Sequence, residues 1–192
     1  MLGSANYFLG FKAFTDSTWL YLTQSKYIID LLKKTNILDA KPYNSFTASG
    51  VKLSLHEGEI FADPTCYRST IGALQYLTYT RLDISYIVNK LSQFFIAPTT
   101  LHWQACKRVL RYLSGTVHKK LWFKPSSGSL KLEAYSDVDW ASSVDDRWSI
   151  SGHYVFLVGN LISWSSQKQI VVARSSAEAE YRFMAQLTSE VL

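Results

Sequence analysis

The feature that most constrains this chain is a pair of short stretches, each placing a carboxylate where folding alone does not ask for one. In Leu130–Trp140, LKLEAYSDVDW, the residues Leu130, Leu132 and Ala134 alternate with Lys131, Glu133 and Tyr135. That is the period-two pattern of a half-buried strand, and it runs out into Asp137 and Asp139 on one side. In Ser175–Met184, SSAEAEYRFM, Ser175 followed three residues later by Glu178 reads as a capping box and starts a helix at about Ser176. That accounts for Glu178. Glu180 falls instead on the stripe of Ala177, Tyr181, Met184 and Ala185, which should face the sheet. A carboxylate at a strand end opposite one on the inward edge of a helix suits Mg²⁺, a hard cation that takes oxygen ligands in a rigid arrangement.

The remaining pattern is mixed α and β. Tyr7–Phe14 and Thr18–Leu22 read as two strands of a hairpin joined through Thr15, Asp16 and Ser17. From Gln24 to Lys34, Tyr27, Ile28, Leu31 and Leu32 form a helical stripe with Lys33 and Lys34 in the last turn. Residues 41–60, carrying Pro42, Ser45, Ser49, Gly50 and Gly58, read as a polar linker.

Asp63 before Pro64 is an N-cap with proline at the first helical position, followed by Tyr67, Ile71, Leu74 and Leu77. A second helix is expected over about Asp83–Phe95. A third should run from Thr99 or Thr100 to just before Gly115, with Trp103, Cys106, Leu110 and Leu113 inward and Lys107, Arg108 and Arg111 on the opposite face. A short strand at Leu121–Phe123 and a turn at Pro125–Gly128 lead into the final segment. There Ser151–Val158 turns at Gly159 and Asn160 into Leu161–Ser165, and Ile170–Ala173 either extends that strand or stands apart. The reading is thus α/β: segments 1–40, 41–60 (linker), 61–120 (helical) and 121–192 (meander plus helix).

With 47% hydrophobic residues and no low-complexity tract, 192 residues suffice for one large or two small domains. The net charge of +5 fits a polyanionic partner, although such an excess is also common in ordinary proteins. Cys66 and Cys106 follow no metal spacing, and a reducing compartment is the simplest reading. No targeting signal and no window of about 18 apolar residues is found.

The run YSDVDWASSVDDRWSISGHYVFLVGNLISWSSQKQIVVARSSAEAEYRFMAQ resembles the ribonuclease H segment of copia-type retrotransposon Pol polyproteins. Upstream, FLGFKAF, LTQSKYIIDLLKK, YRSTIGALQYLTYTRLDISYIVNKLSQF and LHWQACKRVLRYLSGT resemble the stretch of the same polyprotein that follows the polymerase palm. The resemblance implies that residues 1–40 end the palm, that 61–120 form the thumb and connection, and that 121–192 are the first half of a ribonuclease H fold. It implies a nucleic-acid partner, an RNA·DNA hybrid above all, with the rest of the Pol polyprotein alongside, and an intracellular site, cytoplasmic or nuclear. Under it the basic face of Lys107, Arg108 and Arg111 would lie along a phosphate backbone; without it, that face is an ordinary solvated one.

The resemblance also maps Asp137 and Glu180 onto two of the family's four catalytic carboxylates, which hold Mg²⁺. The other two are expected beyond Leu192, and the polymerase's paired aspartates are absent. Weak metal binding and no useful turnover are therefore expected of this chain alone, unless a second polypeptide completes the fold. Leu82, Ser142, Trp148 and Phe183 depart from the family pattern, and a non-enzymatic remnant of a decayed element is the alternative reading.

Other polar residues carry less. Asp139 could be a further or alternative ligand, or a solvated loop carboxylate. Asp145, Asp146 and Arg147 read as a solvated turn. His102 and His153 stand alone and read as surface or packed residues. Ser175 and Ser176 read as caps, and Trp140, Trp148 and Trp164 as core fillers or stacking groups for a base.

Overall fold

In a computed structural model that describes residues 10–48, 50, 53–125 and 128–191, the chain divides into two compact units. Unit 1 comprises Met1–Val51 and Leu55–Pro125, and unit 2 comprises Lys52–Ser54 and Ser126–Leu192. Helices and antiparallel sheets are both present, as the α/β reading requires.

Unit 1 begins with strands β1 (Lys12–Thr15) and β2 (Leu20–Thr23), an antiparallel hairpin in register from Lys12 opposite Thr23 to Thr15 opposite Leu20. The Asp16 carboxylate closes the turn by accepting hydrogen bonds from the Thr18 and Trp19 amides, each at 2.8 Å. Residues 7–9 of the expected first strand lie outside the described residues. Strand β3 (Leu121–Phe123) does not open the final segment but pairs with β2, giving the order β1-β2-β3.

Four helices supply the core: α1 (Ser25–Lys34), α2 (Pro64–Leu77), α3 (Ser85–Ser92) and α4 (Thr100–Gly115). The Asp63 side chain accepts from the Cys66 amide at 2.9 Å, so the expected N-cap forms, with Pro64 free of any donor to satisfy. Tyr67, Ile71, Leu74 and Leu77 are fully buried against Ile84, Leu91, Leu110 and Leu113. At about 1.5–3 kcal/mol per large apolar side chain, this cluster dominates the stability of unit 1. The expected helix over 83–95 is shorter: a 3₁₀ turn at Leu82–Ile84 leads into α3.

Arg81 explains that break. It is 2% exposed and grips both oxygens of Asp83 at 2.9 and 2.8 Å, while its other N–H groups reach the Thr116 carbonyl and hydroxyl beyond the end of α4. Tyr112 donates to Asp83 at 2.6 Å, and Lys119 donates to Tyr112 at 2.8 Å. Burial raises the Asp83 carboxyl, but hydrogen bonds from Arg81 and Tyr112 and the charges of Arg81 and Lys119 more than reverse this, holding it at about 2.

The linker is packed rather than loose. The Tyr43 amide donates to the Arg111 carbonyl at 3.2 Å, Phe46 meets Tyr112 with ring centroids 5.5 Å apart, and Pro42 lies so close to Gly115 that a Cβ there would sit 2.9 Å from it.

Unit 2 is a meander of β4 (Leu132–Asp139), β5 (Ile150–Leu157) and β6 (Asn160–Lys168), in that order and antiparallel, followed by α5 (Ser176–Val191). The β5–β6 turn falls at Val158 and Gly159, both with positive φ, 51° and 73°. That is the backbone of a two-residue hairpin turn, but valine is poorly suited to the left-handed region.

The segment Ile170–Ala173 is not a strand. Ile170 is 86% exposed, while Ala173 is buried and its carbonyl accepts the Trp140 indole N–H at 3.1 Å. Ser175 caps α5 through the Glu178 amide at 3.1 Å, and Glu178 reaches back to the Arg174 amide, one residue before the cap. The turn expected to be solvated is knitted: Asp145 accepts from Ser54 at 2.6 Å, and Asp146 bonds Lys168 and the Trp148 amide.

Candidate functional site

The acid pair depends on how α5 lies over its sheet. Ala179, Phe183 and Leu187 are its buried stripe, whereas Tyr181 and Met184, expected to face inward, are 72% and 51% exposed. The helix is rotated from the expected face because Phe183 fills the core against His153 on β5, with ring centroids 6.1 Å apart. His153 is a packed residue, 3% exposed.

The rotation leaves Glu180 half-buried on the flank of the stripe, beside β4. There its Oε1 accepts the Val138 amide at 3.2 Å. Strand β4 ends the sheet order, so this bond satisfies a main-chain donor on an edge strand. That gives the acid a structural reason invisible in the sequence.

Val138 is the residue after Asp137, so Glu180 reaches β4 one position along from Asp137. They arrive from different sides. Ala134 and Ser136 line a cavity of about 230 Å³ with Met184, Leu187, Thr188 and Val191 of α5, which fixes the even positions of β4 as the helix-facing side. Alternation then puts Asp137 and Asp139 on the other face. Asp137 is exposed at the level of Gly152, and Asp139 is exposed at the level of Ile150. Strand β4 runs through Asp137 and ends at Asp139.

Among the described residues no group of three or more His, Cys, Asp or Glu comes together in a way that could hold a metal ion. Mg²⁺ asks for near-octahedral oxygen ligation. Two carboxylates, one of them already bonded to a backbone amide, do not by themselves supply it.

The basic face of α4 is also more engaged than its spacing suggests. Lys107 is exposed. Arg108 and Arg111 both stack on Tyr43 of the linker, 4.6 and 3.7 Å from its ring centroid. Arg108 donates to Ser45 at 2.8 Å, and Arg111 uses Nε to reach the Lys41 carbonyl at 2.7 Å. The two Nη groups of Arg111 remain able to meet a phosphate. His102 is fully buried; its Nδ1 meets the Thr99 amide at 2.9 Å, closing the N-terminus of α4, and its ring stacks on Phe94.

Compared with known proteins, the chain is 51% and 50% identical to the retrovirus-related Pol polyproteins from transposons RE1 and RE2 of Arabidopsis thaliana, in each case over 97% of its length. The chain belongs to the copia-type retrotransposon Pol family. It spans 13% of the length of each of those two polyproteins. It is also 40% identical, over 99% of its length, to an uncharacterized mitochondrial protein of Arabidopsis thaliana, of which it covers 78%. No family model matches the chain, and no solved structure matches it. Among the described residues no helix is long and apolar enough to cross a membrane.

Proposed function

We propose that this chain is a nucleic-acid-contacting segment of a retrotransposon Pol polyprotein, derived from the part that joins polymerase to ribonuclease H, and that it is catalytically incomplete by itself. The observation that carries the reading is the match to Pol polyproteins along nearly the whole chain. Support comes from α4, whose exposed Lys107 and partly engaged Arg108 and Arg111 face away from the buried side of the helix. Such a surface neutralises phosphates without reading bases, which suits a duplex of any sequence. An RNA·DNA hybrid is the expected partner, and the rest of the polyprotein is the expected setting.

Filter binding of the purified chain to an RNA·DNA hybrid across a salt series tests this. Affinity that falls steeply with salt supports the reading; no binding at low salt overturns it. A second reading is a non-enzymatic remnant of a decayed element; the chain's coverage of most of an uncharacterized mitochondrial protein is compatible with it. Under it, hybrid binding is absent while the chain still folds.

A further inference from the structure

The sheet of unit 1 has a face that neither the acid pair nor α4 uses. Its register sets Phe14, Tyr21 and Trp122 in one row across β1, β2 and β3. Because side chains alternate along a strand, Lys12, Trp19, Lys120 and Lys124 share that face. The rings form two clusters. Phe14 stacks on Tyr21 at 5.2 Å, and Trp19 meets Trp122 at 4.3 Å. Three ammonium groups lie over them: Lys120 at 4.8 Å from Phe14 and 5.3 Å from Tyr21, Lys124 at 5.2 Å from each tryptophan, and Lys12 at 5.8 Å from Phe14. The other face is the ordinary one, where Leu22 pairs with Leu121 and Leu121 is buried.

From this juxtaposition we propose that the β1-β2-β3 face is a platform for single-stranded nucleic acid, bases stacking on Trp122, Trp19 and Tyr21 while Lys12, Lys120 and Lys124 hold the phosphates. Trp122 is 40% exposed and the other rings are half-buried, so the face is open to a ligand. Three lysines against one acid make its charge complementary to a phosphate chain: Asp16, at the margin, accepts from the Thr18 and Trp19 amides, the Thr18 hydroxyl and the Tyr21 hydroxyl. Lysines resting on rings are attracted by the ring quadrupole, a weak hold at an exposed site. A phosphate draws each ammonium outward and opens the ring beneath it to a base. Stacking of this kind tolerates any sequence, because every base has a π-face. A duplex, with its bases already stacked on one another, gains only the lysines.

The test uses the full chain and a fluorescein-labelled oligothymidylate of about 12 nucleotides. Anisotropy and tryptophan quenching should both report binding, with a slope of about −2 in log K against log salt for three neutralised phosphates. Trp122→Ala should weaken binding on the order of tenfold. Because that variant removes part of a ring cluster, Trp122→Phe serves as a second probe and should keep most of the affinity. Lys120→Gln combined with Lys124→Gln should flatten the salt slope. An abasic strand of equal length should bind more weakly than the oligothymidylate.

Equal binding of the abasic strand overturns the proposal, as does unchanged affinity in a folded Trp122→Ala chain. So does displacement of the oligothymidylate by an acidic peptide at equal charge concentration, which would mark the face as a protein-docking surface. Failure here is distinct from failure of the hybrid reading: loss of single-strand binding with hybrid binding intact removes only the platform.

Discussion

Unit 1 and unit 2 place polar side chains in different settings. In unit 1 a charged network runs from the edge of an aliphatic core out to solvent and is satisfied from several sides, with Arg81 2% exposed, Asp83 25% and Lys119 47%, together with Tyr112 and Thr116. In unit 2 one helix packs on a three-stranded sheet through Ala179, Phe183 and Leu187, and the edge strand β4 keeps Leu132 and Tyr135 exposed. Its most distinctive carboxylate, Glu180, serves a backbone amide on that edge. The buried Arg81 thus gathers several chain segments around one carboxylate, whereas Glu180 at an open rim supports a single main-chain amide and stays near solvent. The basic and aromatic surfaces on which the proposed nucleic-acid contacts rest both lie on unit 1.

The comparison breaks first if the Arg81 network proves dispensable. Arg81→Ala leaves Asp83 short of its principal partner and should destabilise unit 1 by about 3–5 kcal/mol, read as a shift in the urea midpoint of its unfolding transition. Acid should act on the same network. Asp83 titrates lower in the fold, at about 2, than its ordinary 3.8. Its contribution is therefore fully present above pH 4 and is lost as pH falls towards 2, about 2 kcal/mol in all. Asp83→Asn should remove that acid dependence between pH 4 and 2 in equilibrium unfolding curves.

Unit 2 offers a smaller effect of opposite sign. Val158→Asn relieves a β-branched residue at φ 51° and creates an Asn-Gly turn, which should stabilise unit 2 by about 1 kcal/mol in the same measurement. At the rim, Glu180→Gln keeps an oxygen for the Val138 amide and should change stability little. Glu180→Ala should cost about 1 kcal/mol, the net worth of an ordinary hydrogen bond. Equal losses in the two variants would show that the charge of Glu180, not its hydrogen bond, matters to the fold. The smallest effect is on binding: Lys107→Gln should reduce the salt slope for an RNA·DNA hybrid by about 1 with unchanged folding.

The sequence shows most of unit 1 plainly, because its signals are local. The Asp63–Pro64 start, the stripe from Tyr67 to Leu77 and the inward Cys106, Leu110 and Leu113 all follow from capping chemistry and helical spacing. Signals that depend on packing partners are harder to read. On α5, Ala177, Tyr181, Met184 and Ala185 make as good a stripe as Ala179, Phe183 and Leu187, and only the aromatic pocket beside His153 decides between them. The polar composition of the linker hides the role of Tyr43, which is set by two arginines about 65 to 70 residues away. The apolar run Ile170–Val172 looks like strand, yet the main chain at Ala173 is taken by Trp140 instead of a neighbouring strand.

The acid pair was legible as residues but not as geometry. Spacing placed Asp137 and Glu180 near each other, while only the register shows them reaching the rim of β4 from different faces. The aromatic face of unit 1 was missed because its row is assembled from three strands, the last of them about 100 residues from the first. Its local signal is modest: lysines and rings at alternate positions in KAF, WLY and KLWFK.

Hydrogen–deuterium exchange of the whole chain, with and without an RNA·DNA hybrid at low salt, most directly tests whether nucleic acid is met by unit 1. The account predicts added protection on α4 and the adjoining residues 41–46, reversed by raising the salt. Protection confined to residues 132–191, or none anywhere under conditions where the hybrid is bound, would contradict it.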